Sequence, residues 1–249
     1  MTFLPAPDSH GYIFKRIDLP GQPLINALAE NVVETTRGTV LEENGARVST
    51  VEHVLASFVG MGIDNVLVDV DGPEAPILDG SARDFAEAID KIGAVDQSTD
   101  RKYFILKEKV EYYDEERGIH IIAYPDKIQS INVLIDYNSL VLGNQYASLE
   151  ELQNFKEEIA PCRTFVFLRE LEYLAKNNLI KGGDVDNAIV IAEGMMVRMQ
   201  AVMGAAQAAG ESVGKTIWAL LGGTVIGILA FSAIGLSPDS TGEFANSLF

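Results

Sequence analysis

The sequence predicts an α+β fold of two consecutive two-layer α/β-sandwich domains, residues 1–98 and 99–191, followed by an apolar helical tail over 192–249. Three observations carry this. Strand-like and helical runs alternate in two successive series, a short polar stretch Asp96-Gln97-Ser98-Thr99-Asp100 separates the series, and charge nearly vanishes after the second. A single parallel sheet would call for one unbroken alternation instead.

In the first series Val66, Val68 and Val70 recur at period two with Asp69 between them, the pattern of a half-buried strand. Asp71-Gly72-Pro73 stops it, and Ile77-Leu78-Asp79-Gly80-Ser81 makes a second turn. Phe85, Ala86, Ile89 and Ile92 then fall at helical spacing up to Gly93. The second series opens with Tyr103-Phe104-Ile105-Leu106 and continues through Val110-Glu111-Tyr112-Tyr113. A turn at Glu115-Glu116-Arg117-Gly118 leads into Ile119-His120-Ile121-Ile122-Ala123. A further strand is expected over 131–137, and helices over 151–160 and 167–178.

Composition narrows the function. The chain has 249 residues, 47% of them hydrophobic, enough for packed cores. A formal charge of −17 excludes a protein that tracks nucleic-acid phosphates, which needs a basic stripe. One cysteine, Cys162, excludes an internal disulfide and any cysteine-rich zinc cluster, and it suits a reducing, cytoplasmic compartment. Residues 1–20 lack the basic-then-apolar pattern of a signal peptide. Residues 1–191 hold 17 Lys and Arg against 32 Asp and Glu, a net −15, whereas 192–249 hold 2 against 4, a net −2. Thr216 to Pro238 is a run of 23 residues without a charge, long enough as a helix to span a hydrocarbon core of about 30 Å. Membrane contact through 216–238 is therefore expected, with a buried soluble helix as the alternative.

The sharpest local signal is Ser49-Thr50-Val51-Glu52-His53 ahead of Val54-Leu55-Ala56. Taken alone, Ser49 and Glu52 read as a capping box and His53 as an ordinary residue of the first helical turn. The longer context changes that reading. Val48 to Ala56, Gly62-Ile63-Asp64-Asn65-Val66 and Asp71-Gly72-Pro73-Glu74-Ala75-Pro76-Ile77-Leu78-Asp79-Gly80-Ser81 together resemble the signature of the UDP-3-O-acyl-N-acetylglucosamine deacetylases of lipid A synthesis. Ala160-Pro161-Cys162-Arg163-Thr164-Phe165-Val166-Phe167, Asn178-Leu179-Ile180-Lys181-Gly182-Gly183 and Asp186-Asn187-Ala188-Ile189-Val190 resemble that family's second domain. The likeness is to Bacteroidetes-type members, in which the enzyme is often fused to a hydroxyacyl dehydratase.

The resemblance implies a reaction and its residues. The family removes the acetyl group of an acylated UDP-N-acetylglucosamine with one zinc ion, held by two histidines and an aspartate and open to water. His53 matches the first zinc ligand, and Glu52 the general base. Thr164 matches the threonine that steadies the oxyanion, and Phe165 beside it is expected to line the acyl-chain passage. These pairs are expected to meet at a groove between the domains. The substrate expected as partner is UDP-3-O-acyl-N-acetylglucosamine.

The sequence also departs from the family. The other zinc ligands belong to a His-Lys-x-x-Asp motif after the Asp-Asn-Ala-Ile-Val strand, and a later histidine supplies charge or a proton. The only histidines here are His10, expected in a loop, His53, and His120, expected on the solvent face of a strand. One ligand is too few for tight catalytic zinc, so the chain as given is expected to be inactive. The amino end also reads as short by a glycine-rich strand and hairpin before Thr2. From Asp186 the chain resembles resistance-nodulation-division efflux transporters, through Asp186 to Gly194, Gly222 to Phe231 and Gly235 to Thr241. Asp186 to Ile191 fits both families. The alternative reading is therefore a non-functional join, a chimera of a truncated deacetylase and a transporter membrane segment.

Overall fold

A computed structural model describes residues 1–36, 38–138, 142–165 and 176. The helix expected over 167–178, apart from Lys176, and the tail over 192–249 with its apolar run at 216–238 lie outside the described residues.

Small sheets with few helices make up the described part, an α+β arrangement. The first sheet has the order β1-β7-β2-β3, formed by Thr2–Pro5, Val66–Val70, Tyr12–Arg16 and Leu24–Asn26. β7 runs antiparallel to β1 and parallel to β2. A second, antiparallel sheet joins β4 (Val32–Glu34), β5 (Val40–Glu43) and β6 (Ala46–Ser49). Two hairpin-like pairs follow, β8 (Val110–Asp114) with β9 (Ile119–Ala123) and β10 (Ile131–Asp136) with β11 (Asn144–Leu149).

Besides two 3-10 turns at Ala29–Asn31 and Leu152–Asn154, the described helices are α1 (Glu52–Gly60), α2 (Arg83–Ile92) and the single turn α3 (Phe155–Glu158). Every residue from His53 to Val59 is buried, so α1 has no solvent face and runs through the core. α2 buries only Phe85, Ala86 and Ile89, the apolar stripe of a surface helix, and ends at Gly93 with a φ of 81°. The Phe58 ring meets Phe3 edge-on at 4.9 Å and Tyr12 at 5.4 Å, which ties α1 to two strands of the first sheet.

The core does not stop at the polar stretch. Val133, Leu149, Phe155, Ile159 and Ala160 belong to the same buried cluster as Phe14, Leu55 and Phe58. The stretch itself is anchored to the first series: Ser98 and Thr99 hydroxyls donate to Asp8, and Arg101 pairs with Asp64 at 2.8 Å. The run Tyr103-Phe104-Ile105-Leu106 forms no strand, and Tyr103, Phe104 and Ile105 are exposed. It lacks the alternation that would put one face on a core.

Arg16 is the one arginine buried in this core among the described residues. Its guanidinium grips the Asp18 carboxylate through both Nε (2.9 Å) and Nη2 (2.7 Å) and donates to the Arg47 carbonyl. The Arg16 hydrogen bonds hold the Asp18 carboxyl below its ordinary 3.8. A depressed carboxyl contributes stability that is complete above the unfolded pKa and lost as pH falls through the folded one. Asp18→Asn therefore lowers the melting temperature at pH 7 and flattens its fall below about pH 5, as thermal melts from pH 7 to 3 would register. A variant whose acid limb keeps the parent's slope would contradict this.

Candidate functional site

The turn from β6 into α1 is built on backbone that most residues avoid. Thr50, β-branched and buried, has a φ of 58°, in the left-handed region, at a cost of about 1–3 kcal/mol. Its hydroxyl donates to the Glu74 carboxylate at 2.5 Å. Just before it the chain is fastened to residues 73–75: the Ser49 amide donates to the Pro73 carbonyl (2.9 Å) and the Ala75 amide to the Ser49 carbonyl (3.0 Å).

This geometry corrects the capping-box reading. Ser49 ends β6 and its hydroxyl contacts the Pro73 carbonyl at 3.2 Å, while α1 begins without a side-chain cap. The Glu52 carboxylate reaches across to the residue just before β5 and accepts the Thr39 amide at 2.9 Å. Glu52 is half-buried and His53 fully buried, with a Nδ1 that has no hydrogen-bond partner. Burial lowers the His53 pKa, against the opposing charges of Glu52 and Asp79, and so favours the neutral imidazole.

The sequence places Asp79 in a turn and inside the family-like motif without giving it a role, yet it joins the parts of the site. It follows Leu78, a second non-glycine residue in the left-handed region, with a φ of 53°. Its Oδ1 accepts the Ser81 hydroxyl (2.6 Å) and amide (3.1 Å), and its Oδ2 lies 3.0 Å from Arg83 and 3.2 Å from Arg163. Those last two are ion-pair contacts that lack the alignment of hydrogen bonds. Burial pushes the Asp79 carboxyl up, but Ser81, Arg83 and Arg163 together outweigh it and keep it below the ordinary carboxylate value. The signal available in the sequence was the Asp-Gly-Ser order, in which a short acid can close an Asx turn.

Through Asp79 the two halves of the sequence meet. Beside the Asp79–Arg163 pair, the Thr164 amide donates to the Gly80 carbonyl (2.8 Å) and the Ala82 amide to the Ala160 carbonyl (3.0 Å). Thr164 thus lies against the Asp79 turn whose charge acts on His53. Phe165 packs on the Tyr137 ring, centroids 5.7 Å apart at 68°. The other two histidines are elsewhere. His10 contacts the Gly11 carbonyl at 3.2 Å at the entry to β2, and exposed His120 on β9 pairs with Glu111 at 2.7 Å.

The fit to a metal is partial. A buried imidazole nitrogen without a partner suits a ligand, but no group of three His, Cys, Asp or Glu able to hold an ion occurs among the described residues. These residues supply one corner of a metal site and do not fit a whole one.

Comparison with known proteins decides the lineage. The family model described as LpxC, UDP-3-O-acyl N-acetylglycosamine deacetylase, matches residues 1–205. The chain belongs to this family. The match continues past residue 191, where the sequence reading placed its boundary. A protein of Bacteroides thetaiotaomicron named bifunctional enzyme LpxC/FabZ is 55% identical over 196 residues, 79% of this chain and 42% of that protein. Its namesake in Porphyromonas gingivalis is 51% identical over 191 residues, 77% of this chain and 41% of that protein. A UDP-3-O-acyl-N-acetylglucosamine deacetylase of Myxococcus xanthus is 40% identical over 194 residues, 78% of this chain and 61% of that protein. The chain thus spans about two fifths of the length of the bifunctional relatives it matches. Among the described residues of this LpxC-family chain, no helix is long and apolar enough to cross a membrane.

Proposed function

We propose that this chain carries the base and oxyanion side of a UDP-3-O-acyl-N-acetylglucosamine deacetylase, acting in lipid A synthesis in the cytoplasm. Family membership supplies the reaction class, and one observation supports the site: residues 73–80 are bonded at one end to Ser49, at the entry to the helix of Glu52 and His53, and at the other to the Arg163-Thr164 segment. Three roles then converge on one amide carbonyl, as a hydrolysis requires. Glu52 takes the proton of the attacking water, with its carboxylate steadied by the Thr39 amide. The Thr164 hydroxyl donates to the carbonyl oxygen as charge develops there. His53 would hold the zinc that the family employs, as one ligand through its unpartnered ring nitrogen. Phe165 lies on the acyl chain's path, its ring steadied by Tyr137.

Catalytic zinc needs three protein ligands, and the three histidines of the sequence are His10, His53 and His120. The 249-residue chain is accordingly proposed to bind substrate without turning it over. The proposed domains remain 1–98 and 99–191, and the part of the tail beyond the family match, 206–249, is proposed to be transporter-like and membrane-prone on the likeness of Gly222 to Phe231 and Gly235 to Thr241.

Substrate recognition is testable without catalysis. Titrated calorimetrically, the acylated UDP-N-acetylglucosamine binds saturably, and Phe165→Ala weakens it about tenfold while leaving the weaker binding of unacylated UDP-N-acetylglucosamine unchanged. Equal affinity for both ligands, or an equal effect of the variant on both, would overturn the assignment of Phe165 to the acyl chain.

A further inference from the structure

We infer that Thr50 and Glu74 form a positioning pair that sets the direction of Glu52 and His53. Neither residue has a role in the reaction itself, and what the aimed residues do rests on the deacetylase reading above.

The inference starts from an unfavourable choice. A residue at a φ of 58° is ordinarily Gly or Asn, and a β-branched side chain there is an outlier that persists only where its surroundings hold it. Thr50 is held on both sides. Ser49 before it is bonded to Pro73 and Ala75, the Val51 amide after it donates to the Thr39 carbonyl, and its buried hydroxyl is bonded to Glu74, a residue otherwise exposed to solvent. Glycine would relieve the backbone but has no hydroxyl to bind Glu74. The hydroxyl of Thr50 meets the second demand at the expense of the first, and its bond to Glu74 helps to hold the strained backbone.

The consequence falls two residues later. β6 ends at Ser49 and α1 begins at Glu52, so Thr50 and Val51 make the whole change of direction. α1 has no side-chain cap to set where its first turn points. The rotation of that turn about the helix axis decides whether Glu52 reaches the Thr39 amide and whether His53 points into the core. The Thr50–Glu74 bond links this choice to the 73–75 segment, and the same stretch of chain continues through Leu78 to the Asp79 turn that holds Thr164. One strand-end bond thus ties the base, the imidazole and the oxyanion side to a common frame.

The Thr39 amide reports this directly, because the Glu52 carboxylate is its acceptor. Amide hydrogen exchange is measured on the full chain, with Val68 in the centre of the first sheet as internal reference. In Glu74→Ala and in Thr50→Gly the Thr39 amide exchanges about five- to tenfold faster relative to Val68, the loss of about one hydrogen bond. Thr50→Ser, which keeps the hydroxyl, restores most of the protection. A merely structural role would speed both amides together in all three variants. Unchanged Thr39 protection relative to Val68 in Glu74→Ala, or a Thr50→Ser variant that behaves as Thr50→Gly does, would overturn the pair. The surface variant Glu74→Ala keeps the test open if Thr50→Gly does not fold. Since the readout needs neither metal nor substrate, it fails separately from the proposed function.

Discussion

Gly60→Ala lowers the stability of the chain by about 1–3 kcal/mol, against the intrinsic preference of a helix for alanine. In an exposed helix the same substitution gains about 1 kcal/mol. Gly60 ends α1 beneath the Phe155 ring, and a Cβ built there would lie 2.1 Å from both Cγ and Cδ1 of that ring. Phe155 is fully buried at the start of α3, so its ring has no open space into which to retreat. Phe155→Ala alone costs about 3–5 kcal/mol, the transfer term plus the cavity left. The decisive comparison is the pair. In the Phe155→Ala background, Gly60→Ala becomes stabilising, because the clash is gone and only helix propensity remains. Chemical denaturation of the four proteins gives the cycle, and additive effects would show that the two residues do not meet. The contact matters to the site because Phe155 leads into Ala160, whose carbonyl accepts the Ala82 amide next to the Asp79 turn.

The second large effect concerns metal. Zinc binding is expected to be weak, in the micromolar range or poorer, and to vanish in His53→Ala. Structural zinc sites with a full ligand set reach apparent binding free energies of about 10–16 kcal/mol. Here a single imidazole and the neighbouring carboxylates would leave most coordination positions to water. Glu52 could coordinate, but its carboxylate already accepts the Thr39 amide, and a metal-bound Glu52 could no longer act as base. Competition with a chromophoric chelator measures the affinity. Nanomolar binding that survives His53→Ala would place the metal elsewhere in the chain.

The legible parts of the fold were those with a period. Val66, Val68 and Val70 announced β7, and Phe85, Ala86, Ile89 and Ile92 announced α2, because each set presents one face, although Ile92 at the helix end is exposed. The strands β1 to β6 were harder to read, since runs of three to five residues between turns carry too few repeats to fix a period. Tyr103 to Leu106 misled for the opposite reason: it is apolar enough for a strand but is matched by no alternation and no partner strand among the described residues. At the site, an ordered motif singled out Glu52, His53, Thr164 and Phe165. The same letters suggested a capping box, and what displaced it was the left-handed Thr50, a backbone state that no side-chain pattern announces. Thr39 and Glu74 gave no signal either, because their parts depend on two chain segments crossing beside β6. Asp79 could have been singled out, as a carboxylate inside the motif followed closely by Ser81 and Arg83.

One measurement bears most directly on the claim that this chain holds the base and a single metal-ligating imidazole of a deacetylase. The chain is incubated with zinc and UDP-3-O-acyl-N-acetylglucosamine, and acetate release is followed beside a Glu52→Ala control. The account predicts substrate binding with no acetate release above that control. Zinc-dependent release that disappears in Glu52→Ala would contradict it, and would mean that residues other than those named here complete the metal site.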